Sequence, residues 1–489
     1  MEILDDPRAT RNTPILLRQY RGDITRDCLR RFEEKNITLH HLERWQKDRC
    51  IIYPWNIEYG TERLGYNRYN QVYPLMIVMA ETVEDIKWAL SKALSLNVEY
   101  AIKSGGHDHT GLSLSNGIII CLSRRNHINL YDGYVEIGAG IVFGQLDLEM
   151  EKLGNYTAIH GTCSNVSTNL IYGGGFGLFV RKYGLACDNV LEFDVLLADG
   201  RHVTCNQNNY SDLFWAIRGA GSGTFGVITD VVLKYYEVEN VVLYEFTYTL
   251  EQFHEVFQAW QRFAPSTTHN LASKIVIAPV SHEGEDYPIT LKGQFLGKRQ
   301  ELETLLRWFH RRAQVSKIWE ASVIDASIYH NESCADPGWY FFYQSILSVD
   351  PLSEEILDIF HNFALTAGPE HCIVINALGG RFGEIKSDET AFPWRNAILW
   401  IHMMSETKDQ MVYDPMKRLV NDTYHRLLDS GLRNPETGVG RLYSNFKDLD
   451  LPDHKYPLAY WGNNYKKLKA IKQKYDPYNF FHHRQSINL

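Results

Sequence analysis

The chain has 489 residues, of which 44% are hydrophobic and 22% charged, and its formal net charge is -9 at pH 7. That length predicts two or three domains, and the acidic balance without a basic block argues against nucleic acid as a partner. Residues 1–13 contain no apolar core of a signal peptide and no apolar run is long enough to span a bilayer, so we expect a soluble chain, compatible with the cytoplasm, that acts on a small molecule without binding a membrane.

The first part of the chain has the pattern of a β-α-β unit. An apolar strand at 74–79 is followed by Thr82, which is placed to cap a helix together with Asp85, and then by a second strand at 98–102. The apolar face of that helix is predicted to comprise Ile86, Ala89, Leu90, Ala93 and Leu94. The other elements predicted in this half are an amphipathic helix at 24–48, a strand at 118–123, a helix at 142–153, and hairpins that turn at Asp132-Gly133 and Asp199-Gly200.

The segment Lys103-Ser104-Gly105-Gly106-His107 directly follows the strand at 98–102. Glycine has no Cβ, so backbone amides here can approach a flat or anionic ligand, which favours a cofactor-binding loop. His107-Asp108-His109 could alternatively supply two metal ligands, but no third His, Cys or acidic residue stands at metal-binding spacing nearby. A zinc site is therefore the weaker interpretation, and a polar turn closed by a histidine is the plainest one.

Cysteine usage singles out one position. The eight cysteines are scattered with no Cys-x-x-Cys pair, so neither a zinc ribbon nor a disulfide framework is predicted. Cys121 follows three isoleucines and is typical of a buried, inert thiol. Cys163 lies instead in the small, polar segment Gly161-Thr162-Cys163-Ser164-Asn165-Val166, where a thiol is a candidate for chemistry.

Two further glycine-rich segments follow. Tyr172-Gly173-Gly174-Gly175-Phe176-Gly177 is either a flexible turn or a place where the backbone passes against a planar ring or a phosphate. Gly221-Ser222-Gly223-Thr224-Phe225-Gly226 matches G-x-G-x-x-G, but a helical segment precedes it and a strand at 227–235 follows it, which is the reverse of a dinucleotide fingerprint. A Rossmann fold is therefore disfavoured, whereas an amide-rich phosphate turn is not.

After Glu237 the pattern changes to that of a second α+β domain, in which glycine-rich loops are scarce. An apolar stripe at helical spacing is expected to be core, and it comprises Phe253, Val256, Phe257, Trp260 and Phe263. The elements predicted here are strands at 241–249, 274–278 and 290–295, helices at 253–263 and 299–312, and a final helix at 464–474 that ends before Asp476-Pro477.

Several motifs stand together in the order of one known family. They are Lys103-Ser104-Gly105-Gly106-His107, Gly161-Thr162-Cys163, Gly173-Gly174-Gly175-Phe176-Gly177, Asp212-Leu213-Phe214-Trp215-Ala216-Ile217-Arg218-Gly219, and in the tail Tyr460-Trp461-Gly462-Asn463-Asn464-Tyr465, Lys474-Tyr475-Asp476-Pro477-Tyr478-Asn479-Phe480-Phe481 and Gln485-Ser486-Ile487. From about residue 66 to its end the chain resembles the berberine bridge enzyme-like branch of the vanillyl-alcohol oxidase / p-cresol methylhydroxylase flavoproteins.

The resemblance implies an α+β, two-domain FAD-binding fold of the PCMH type. An FAD-binding domain would occupy residues 1–236, and a substrate-binding domain of antiparallel sheet covered by helices would occupy residues 237–444. The tail at 445–489 would return to the FAD domain.

The same resemblance implies FAD tethered twice, through the imidazole of His107 to the 8α carbon and through the sulfur of Cys163 to ring carbon 6. Two fixed links would hold the isoalloxazine in an open site and raise its potential. Lys103 stands where the family has Arg, which keeps the charge and loses the bidentate fork. No metal is implied, and the further cofactor-binding positions are Ser104, Gly105, Gly106, Gly161, Thr162, Val166, Gly173, Gly174, Gly175, Gly223, Gly226, Val227, Ile228, Tyr460 and Asn464.

The substrate-side positions depart from the family pattern. Tyr443 matches the tyrosine that acts in many members as the base, whereas His402 stands where relatives have Gln or Glu and His109 where plant members have Tyr. Plant members also have a Lys two residues before the Gln/Glu position, and here that residue is Trp400. A phenol has a pKa near ~10 and a free imidazole near ~6.5. We therefore hypothesise that His402 and Tyr443 share the role of base, with simple hydrogen bonding of the substrate by His402 as the alternative.

These features predict an FAD-dependent oxidoreductase that moves hydride from an alcohol-bearing carbon to flavin N5 while a base takes the hydroxyl proton. The expected donors are a sugar, an oligosaccharide or an aromatic alcohol, and O2 or another acceptor would reoxidise the flavin. The altered segment after Cys163, Ser164-Asn165-Val166-Ser167-Thr168-Asn169, leaves oxidase and dehydrogenase both open. The alternative is a flavin-bound protein with an altered, inactive site and a structural or interaction role.

Overall fold

The computed structural model describes residues 15–280, 287–331 and 338–489, with side chains from residue 22 onward. The expectation for residues 1–13 and the cysteine at position 334 lie outside the described residues. Within the described part of the chain, no helix is both long enough and apolar enough to cross a membrane.

The chain begins with helices α1 (Ile15–Glu33) and α2 (Leu39–Asp48). A single helix over 24–48 is predicted from the sequence, and this prediction is wrong. Asn36 adopts a left-handed φ of 59°, which ends the first helix, and Thr38 then precedes the second.

The first sheet has the strand order β1-β2-β4-β3. Its elements are β1 (Ile51–Ile52), the short helix α3 (Tyr59–Glu62), β2 (Met76–Met79), helix α4 (Val83–Leu96), β3 (Tyr100–Lys103) and β4 (Ile118–Cys121). Strand β4 pairs in parallel with both β2 and β3, because α4 carries the chain back to the start of β3. The predicted cap is confirmed, since the Asp85 backbone N–H donates to Thr82 Oγ1 at 3.2 Å. Leu94 is 64% exposed, so its place on the buried face is wrong, and the buried Leu96 takes it.

The second sheet has the order β5-β6-β10-β8-β9, with β7 also paired to β10, and its pairs are antiparallel. Both predicted hairpins are confirmed, at Asp132-Gly133 and at Asp199-Gly200. Its strands are β5 (Ile128–Tyr131), β6 (Tyr134–Gly138), β7 (Tyr156–Ala158), β8 (Val190–Leu196), β9 (His202–Asn206) and β10 (Val227–Glu237). The helices between them are α5 (Phe143–Glu151), α6 (Asn169–Tyr172), α7 (Val180–Tyr183) and α8 (Ser211–Ala220), so a helix precedes and a strand follows the segment 221–226, as predicted.

The third sheet is antiparallel and has the order β14-β11-β13-β12-β16-β17-β15. Its strands are β11 (Val241–Tyr248), β12 (Leu271–Ile277), β13 (Ile289–Leu296), β14 (Val315–Ala321), β15 (Tyr340–Ser348), β16 (His371–Ala377) and β17 (Leu399–Thr407). The helices of this part are α9 (Phe253–Phe263), α10 (Arg299–Leu305), α11 (Arg307–His310), α12 (Val323–Asn331), α13 (Glu354–Thr366), α14 (Arg381–Glu384) and α15 (Gln410–Leu427). The helix predicted at 299–312 is therefore two short helices.

Helix α9 covers one face of the third sheet. The Trp260 indole N–H donates to the hydroxyl of Ser273 at 2.8 Å, and the predicted stripe of α9 is buried except for the partly exposed Phe263. Because successive side chains of a strand alternate between faces, Lys274 points to the opposite side of the sheet. That side faces the loops of the first half of the chain.

The tail returns to the first half of the chain through helices α16 (Tyr456–Trp461) and α17 (Tyr465–Tyr475). The Tyr475 hydroxyl donates to the carboxylate of Asp212 in α8 at 2.7 Å. The arrangement has the helices and the antiparallel, helix-covered sheet that the sequence predicts. The domain boundaries at 236/237 and 444/445 stay a prediction.

Candidate active site

The loop after β3 directs His107 into a large cavity between the first half of the chain and the third sheet. The imidazole stacks on Tyr66 with 3.7 Å between ring centroids, and Tyr66 stacks in turn on Phe341 of β15 at 4.4 Å. His107 Nε2 is buried and has no hydrogen-bond partner among the described residues. Burial lowers the pKa of His107 to about 4, so the imidazole is neutral at pH 7 and keeps a lone pair for bond formation.

Lys103, Gly105 and Gly106 shape this loop. The Lys103 ammonium donates to backbone oxygens of the segment 62–64 at 2.7 and 2.9 Å, and its role as a cofactor-binding residue stays a prediction. A Cβ on Gly105 would lie 3.0 Å from the Cβ of Ser167, and Gly106 has a φ of 72°. The two glycines therefore allow close packing and a left-handed turn, while Ser104 lines the cavity.

A second loop, between β7 and α6, brings Gly161, Thr162, Cys163 and Val166 to the same cavity. Cys163 is in a disulfide bond in this structure. A sulfur in a disulfide cannot at the same time form a thioether to a flavin, so the predicted second tether requires this bond to open. The cysteine spacing predicts no disulfide framework, and Cys163 nevertheless takes part in one disulfide bond.

His160 anchors the second loop. Its Nε2 lies 2.8 Å from Asp147 Oδ1 of α5, and Asp147 Oδ2 accepts a hydrogen bond from the Ser327 hydroxyl of α12 at 2.7 Å. Burial lowers the pKa of His160, but the charge and hydrogen bond of Asp147 outweigh it, so the net pKa is raised. The carboxyl of Asp147 shows the converse, because His160 and Ser327 lower its pKa by more than burial raises it. The pair therefore ties the Cys163 loop to a helix of the second half of the chain.

The Gly173-Gly174-Gly175 segment lies against Tyr443 and Asn445. The Gly175 backbone N–H and the Asn445 side-chain amide both donate to Tyr443 Oη, at 2.9 and 2.7 Å. A Cβ on Gly173 would lie 2.0 Å from Asn445 Oδ1, and Gly174 and Gly175 have positive φ values of 134° and 86°. The triplet therefore packs against the phenol of Tyr443, and its role as a cofactor-binding segment stays a prediction.

The loop at 221–226 and the start of β10 form a third edge of the cavity. Gly223, Gly226, Val227 and Ile228 line it, and their role as cofactor-binding positions stays a prediction. Gly223 has a φ of 71°, and a Cβ there would lie 3.3 Å from the ring of His483.

Lys472 of α17 supports this loop from behind. Its side chain is 0% exposed, and its ammonium donates to the backbone oxygens of Thr224 and Phe481 and to the carboxylate of Asp476, each at 2.6 Å. Every N–H of the ammonium is thus satisfied, and the tail is locked to the third edge of the cavity.

Tyr460 and Asn464 act inside the tail. The Tyr460 hydroxyl donates to Gln485 Oε1 at 2.9 Å and accepts from the Asp448 backbone N–H at 2.7 Å. The Asn464 amide donates to the backbone oxygen of Ser387 at 2.7 Å. Both side chains make protein contacts that fix the tail, and their role as cofactor-binding residues stays a prediction.

The third sheet supplies the opposite wall. His402 and Trp400 of β17, Tyr343 of β15 and Lys274 of β12 all line the cavity. His402 stacks on Trp400 at 5.3 Å, and its Nε2 has no hydrogen-bond partner within the described part of the chain. Burial, helped by the nearby charges of His109 and Lys274, lowers the pKa of His402 to about 3. At neutral pH the buried His402 is therefore neutral, and its share in the role of base stays a prediction.

The other two predicted catalytic residues meet the same aromatic cluster. His109 lies 5.5 Å from Phe446, and Tyr443 lies 5.7 Å from both Phe446 and Trp400, between ring centroids. Burial lowers the pKa of His109. Burial raises the pKa of Tyr443, while the hydrogen bonds from Gly175 and the Asn445 side chain act in the opposite direction without cancelling it. The three residues therefore converge on one ring-lined part of the cavity.

The cavity has a volume of about 340 Å³ and runs past all of these groups. The wall formed by the first half of the chain consists of close-packed loops. They present His107 Nε2, which has no hydrogen-bond partner among the described residues, and the wall formed by the third sheet carries aromatic rings. A flat cofactor with phosphate groups needs such ring-sized walls and accessible backbone amides, so the residues present fit FAD.

Comparison with known proteins agrees with this fit. Residues 74–206 match the family model described as FAD binding domain, and residues 442–488 match the one described as berberine and berberine like. Berberine bridge enzyme-like 23 of Arabidopsis thaliana is 31% identical over 455 residues, which cover 85% of this chain and 84% of the relative. Chitooligosaccharide oxidase of Gibberella zeae is 26% identical over 445 residues, which cover 86% of this chain and 89% of the relative. The structure of Physcomitrella patens BBE-like 1 has a TM-score of 0.80 at 25% identity and covers 90% of this chain and 96% of its own.

The fold and the cavity together define an FAD-linked oxidoreductase with an α+β fold of the PCMH type. Within that class, the chain belongs to the berberine bridge enzyme-like family. The resemblance drawn from the motifs is thereby confirmed.

Sequence reasoning missed four residues of the site: Tyr66, His160, Lys274 and Asn445. A lysine inside the apolar strand Leu271–Ile277 was a usable signal, because a buried charge without a function is unfavourable. Tyr66, His160 and Asn445 act through neighbours that are distant in sequence or through backbone geometry, and their local sequence carries no such signal.

Proposed function

We propose that the chain oxidises an alcohol carbon or a sugar hemiacetal, with FAD held by the loops of residues 1–236 and 445–489 and the donor held by residues 237–444. The observation that carries this proposal is the convergence of His107, His109, His402 and Tyr443 on one cavity. Bound FAD supplies a two-electron acceptor for the hydride, with O2 or another acceptor as the final oxidant. The relative named chitooligosaccharide oxidase supports a sugar among the donors.

We propose that His107 carries the covalent link to the 8α carbon of the flavin. Its Nε2 is buried, neutral and without a partner in the described part of the chain, and its ring is held by Tyr66. Cys163 borders the same cavity. If a reductant opened its disulfide, its thiolate would be the nucleophile for a second link to ring carbon 6, which would lose its proton while two electrons passed to the flavin and then to O2 or another acceptor.

Tyr443 is the proposed base for the hydroxyl proton of the donor. Two N–H groups already point at its oxygen, and both hydrogen bonds strengthen when the phenol ionises. Burial opposes ionisation, so these donors are what makes the role feasible. His402 then serves as a neutral hydrogen-bond partner that orients the donor, and His109 completes the polar part of the same wall. The rings of Trp400 and Phe446, with 5.7 Å between their centroids, form the apolar part of that wall.

Intact mass after denaturation tests the tether. We expect the wild-type protein and Cys163→Ala to retain the mass of FAD, and His107→Ala, prepared without reductant, to lose it. His109→Ala is the matched control in the same loop and should keep the flavin. Covalent FAD in unreduced His107→Ala would contradict the assignment, because it would show that Cys163 is bonded to the flavin without prior reduction.

Anaerobic bleaching of the yellow flavin by a panel of sugars and alcohols tests the reaction. We expect at least one donor class to reduce the bound flavin, and Tyr443→Phe to slow that step. A flavin-loaded protein that no donor reduces would favour the alternative of a structural role.

A further inference from the structure

The sheet wall of the cavity carries a row of three N–H-bearing side chains. Lys274 of β12 is in register with Asn376 of β16, and Asn376 is in register with Trp400 of β17. Adjacent strands lie about 4.8 Å apart, so the three side chains stand next to one another on one face. All three line the cavity.

No protein group in the described part of the chain satisfies this row. Lys274 is only 8% exposed, and neither its side chain nor that of Asn376 has a hydrogen-bond or ion-pair partner among the residues that the structure describes. The Trp400 indole nitrogen is buried and has no partner there either. An ammonium and an indole N–H can only donate, so the row requires an acceptor from outside the protein.

The positive charge next to Lys274 makes an anionic acceptor more favourable than a neutral one. Lys292 is its cross-strand neighbour on the other side, and like charges placed directly opposite each other destabilise a sheet. Burial and Lys292 together lower the pKa of Lys274 to about 7. Asp108, which also lines the cavity, already accepts hydrogen bonds from Thr110 and Ser113. A bound anion would offset the repulsion between the positive charges of Lys274 and Lys292.

Arg181 shows how the same fold treats a structural cation. It is 1% exposed, and its guanidinium donates to backbone oxygens that include those of Leu271 and Thr267, at 2.8 Å each. The fold thus satisfies a buried cation that has a structural task. Lys274 borders the same cavity, and its ammonium has no such backbone oxygens as partners among the described residues. A buried cation without protein partners is typical of a ligand-binding residue.

We propose that Lys274, Asn376 and Trp400 bind a carboxylate group of the donor, so that the substrate is an alcohol or hemiacetal that also carries an acid. This inference rests on the proposed function and adds the substrate class to it. A carboxylate presents only acceptors, on two oxygens, which matches a row of adjacent donors. The row shares its sheet with His402, whereas the loops that fit the FAD phosphates belong to the first half of the chain, so the donor and not the cofactor supplies the anion.

Matched donor pairs test the proposal on the flavin-loaded protein. One pair is 4-(hydroxymethyl)benzoate and its methyl ester, and another is glucuronate and glucose, so that the reacting carbon is constant and only the charge changes. We expect the acid of each pair to have the higher kcat/KM. Lys274→Met should lower kcat/KM for the acid about 10- to 100-fold and change the neutral member less than about threefold, in line with a charge-assisted hydrogen bond.

Binding provides a readout without turnover. Benzoate and benzamide are titrated against the flavin absorbance, and Lys274→Met should weaken benzoate alone by the same factor. Lys274→Gln repeats the test with a polar replacement, in case methionine perturbs folding. Lys317→Met is the matched control, since Lys317 is already paired with Glu245 at 3.6 Å and lies at the sheet edge.

Three results would overturn the inference: a preference for the neutral member of each pair, an equal effect of Lys274→Met on both members, or loss of bound FAD in that variant, which would assign the lysine to the cofactor phosphates. If no donor of either kind reduces the flavin but benzoate binding still depends on Lys274, the carboxylate site stands and the proposed oxidation fails.

Discussion

Replacement of Lys472 by methionine should destabilise the protein strongly, and the size of the effect follows from its contacts. Lys472 and Asp476 are both 0% exposed and lie 2.6 Å apart. Methionine fills the volume of the lysine stem but leaves the Asp476 carboxylate buried without its counter-ion. Breaking a buried ion pair from one side typically costs about 3–5 kcal/mol. Since whole domains are stable by roughly 5–15 kcal/mol, this is a large fraction of the total.

A second variant distinguishes the effect of the unpaired Asp476 charge from the effect of lost side-chain packing. Asp476 also accepts backbone N–H groups of Phe480 and Phe481, at 2.7 and 2.8 Å, and asparagine can still accept them through its side-chain oxygen. The double variant Lys472→Met/Asp476→Asn should therefore recover about half of the loss or more, because it leaves no buried charge unpaired. Lys474→Met is the surface control, since Lys474 is 60% exposed in its pair with Asp212 and should change stability by less than about 1 kcal/mol.

Urea unfolding, followed by tryptophan and flavin fluorescence, measures both quantities. Because Lys472 also holds the backbone oxygen of Thr224, we expect the flavin fluorescence of Lys472→Met to change at a lower urea concentration than that of the wild type, together with the tryptophan fluorescence. A loss below about 1 kcal/mol, or a double variant less stable than the single one, would refute the argument from the unpaired carboxylate.

The remaining predictions concern catalysis and pH. Tyr443→Phe should lower kcat/KM about 10²- to 10⁴-fold with unchanged flavin content, because the proposed base is lost, and near-normal turnover would exclude that role. His402→Gln should leave the shape of the pH profile of kcat/KM unchanged between about pH 6 and 9, because a group with a pKa of about 3 does not titrate there; the loss of a limb near neutrality would contradict this. The stabilising contribution of His160, whose pKa is raised, is complete below its unfolded value near ~6.5 and disappears as the pH rises through the folded pKa. The contribution of Asp147, whose pKa is lowered, disappears only as the pH falls through its own folded value. The difference in Tm between wild type and Asp147→Asn should therefore be largest at mildly acidic pH and shrink at alkaline pH, and a constant difference from about pH 4 to 9 would refute the coupling.

Local signals predicted the elements that depend on local chemistry. The Thr82 cap, the hairpins at Gly133 and Gly200 and the buried strand at 118–121 follow from capping, turn and apolar-run rules, and the structure contains them. The break between α1 and α2 was not predicted because no proline or glycine marks residue 36, although asparagine adopts a left-handed φ more readily than most other non-glycine residues.

The residues of the site likewise divide into those that sequence motifs predicted and those that depend on the fold. His107, Tyr443 and His402 were found through motifs, and they do line one cavity. The pKa of His402 was misjudged because burial is a property of the fold and cannot be read from the residue type. Lys274 and Asn376 were missed because cross-strand register decides that they adjoin, and one sequence does not specify the register between distant strands.

The contact between Gly173 and Asn445 also restricts which substitutions these two positions tolerate. Any side chain at position 173 would collide with the amide that supports Tyr443, so the two codons cannot drift independently. In a mutational library, substitutions at Gly173 should survive only beside a smaller residue at position 445, and such survivors should have a slower enzyme. The hydrogen bonding of the Tyr443 hydroxyl thus depends on a glycine that is distant in sequence.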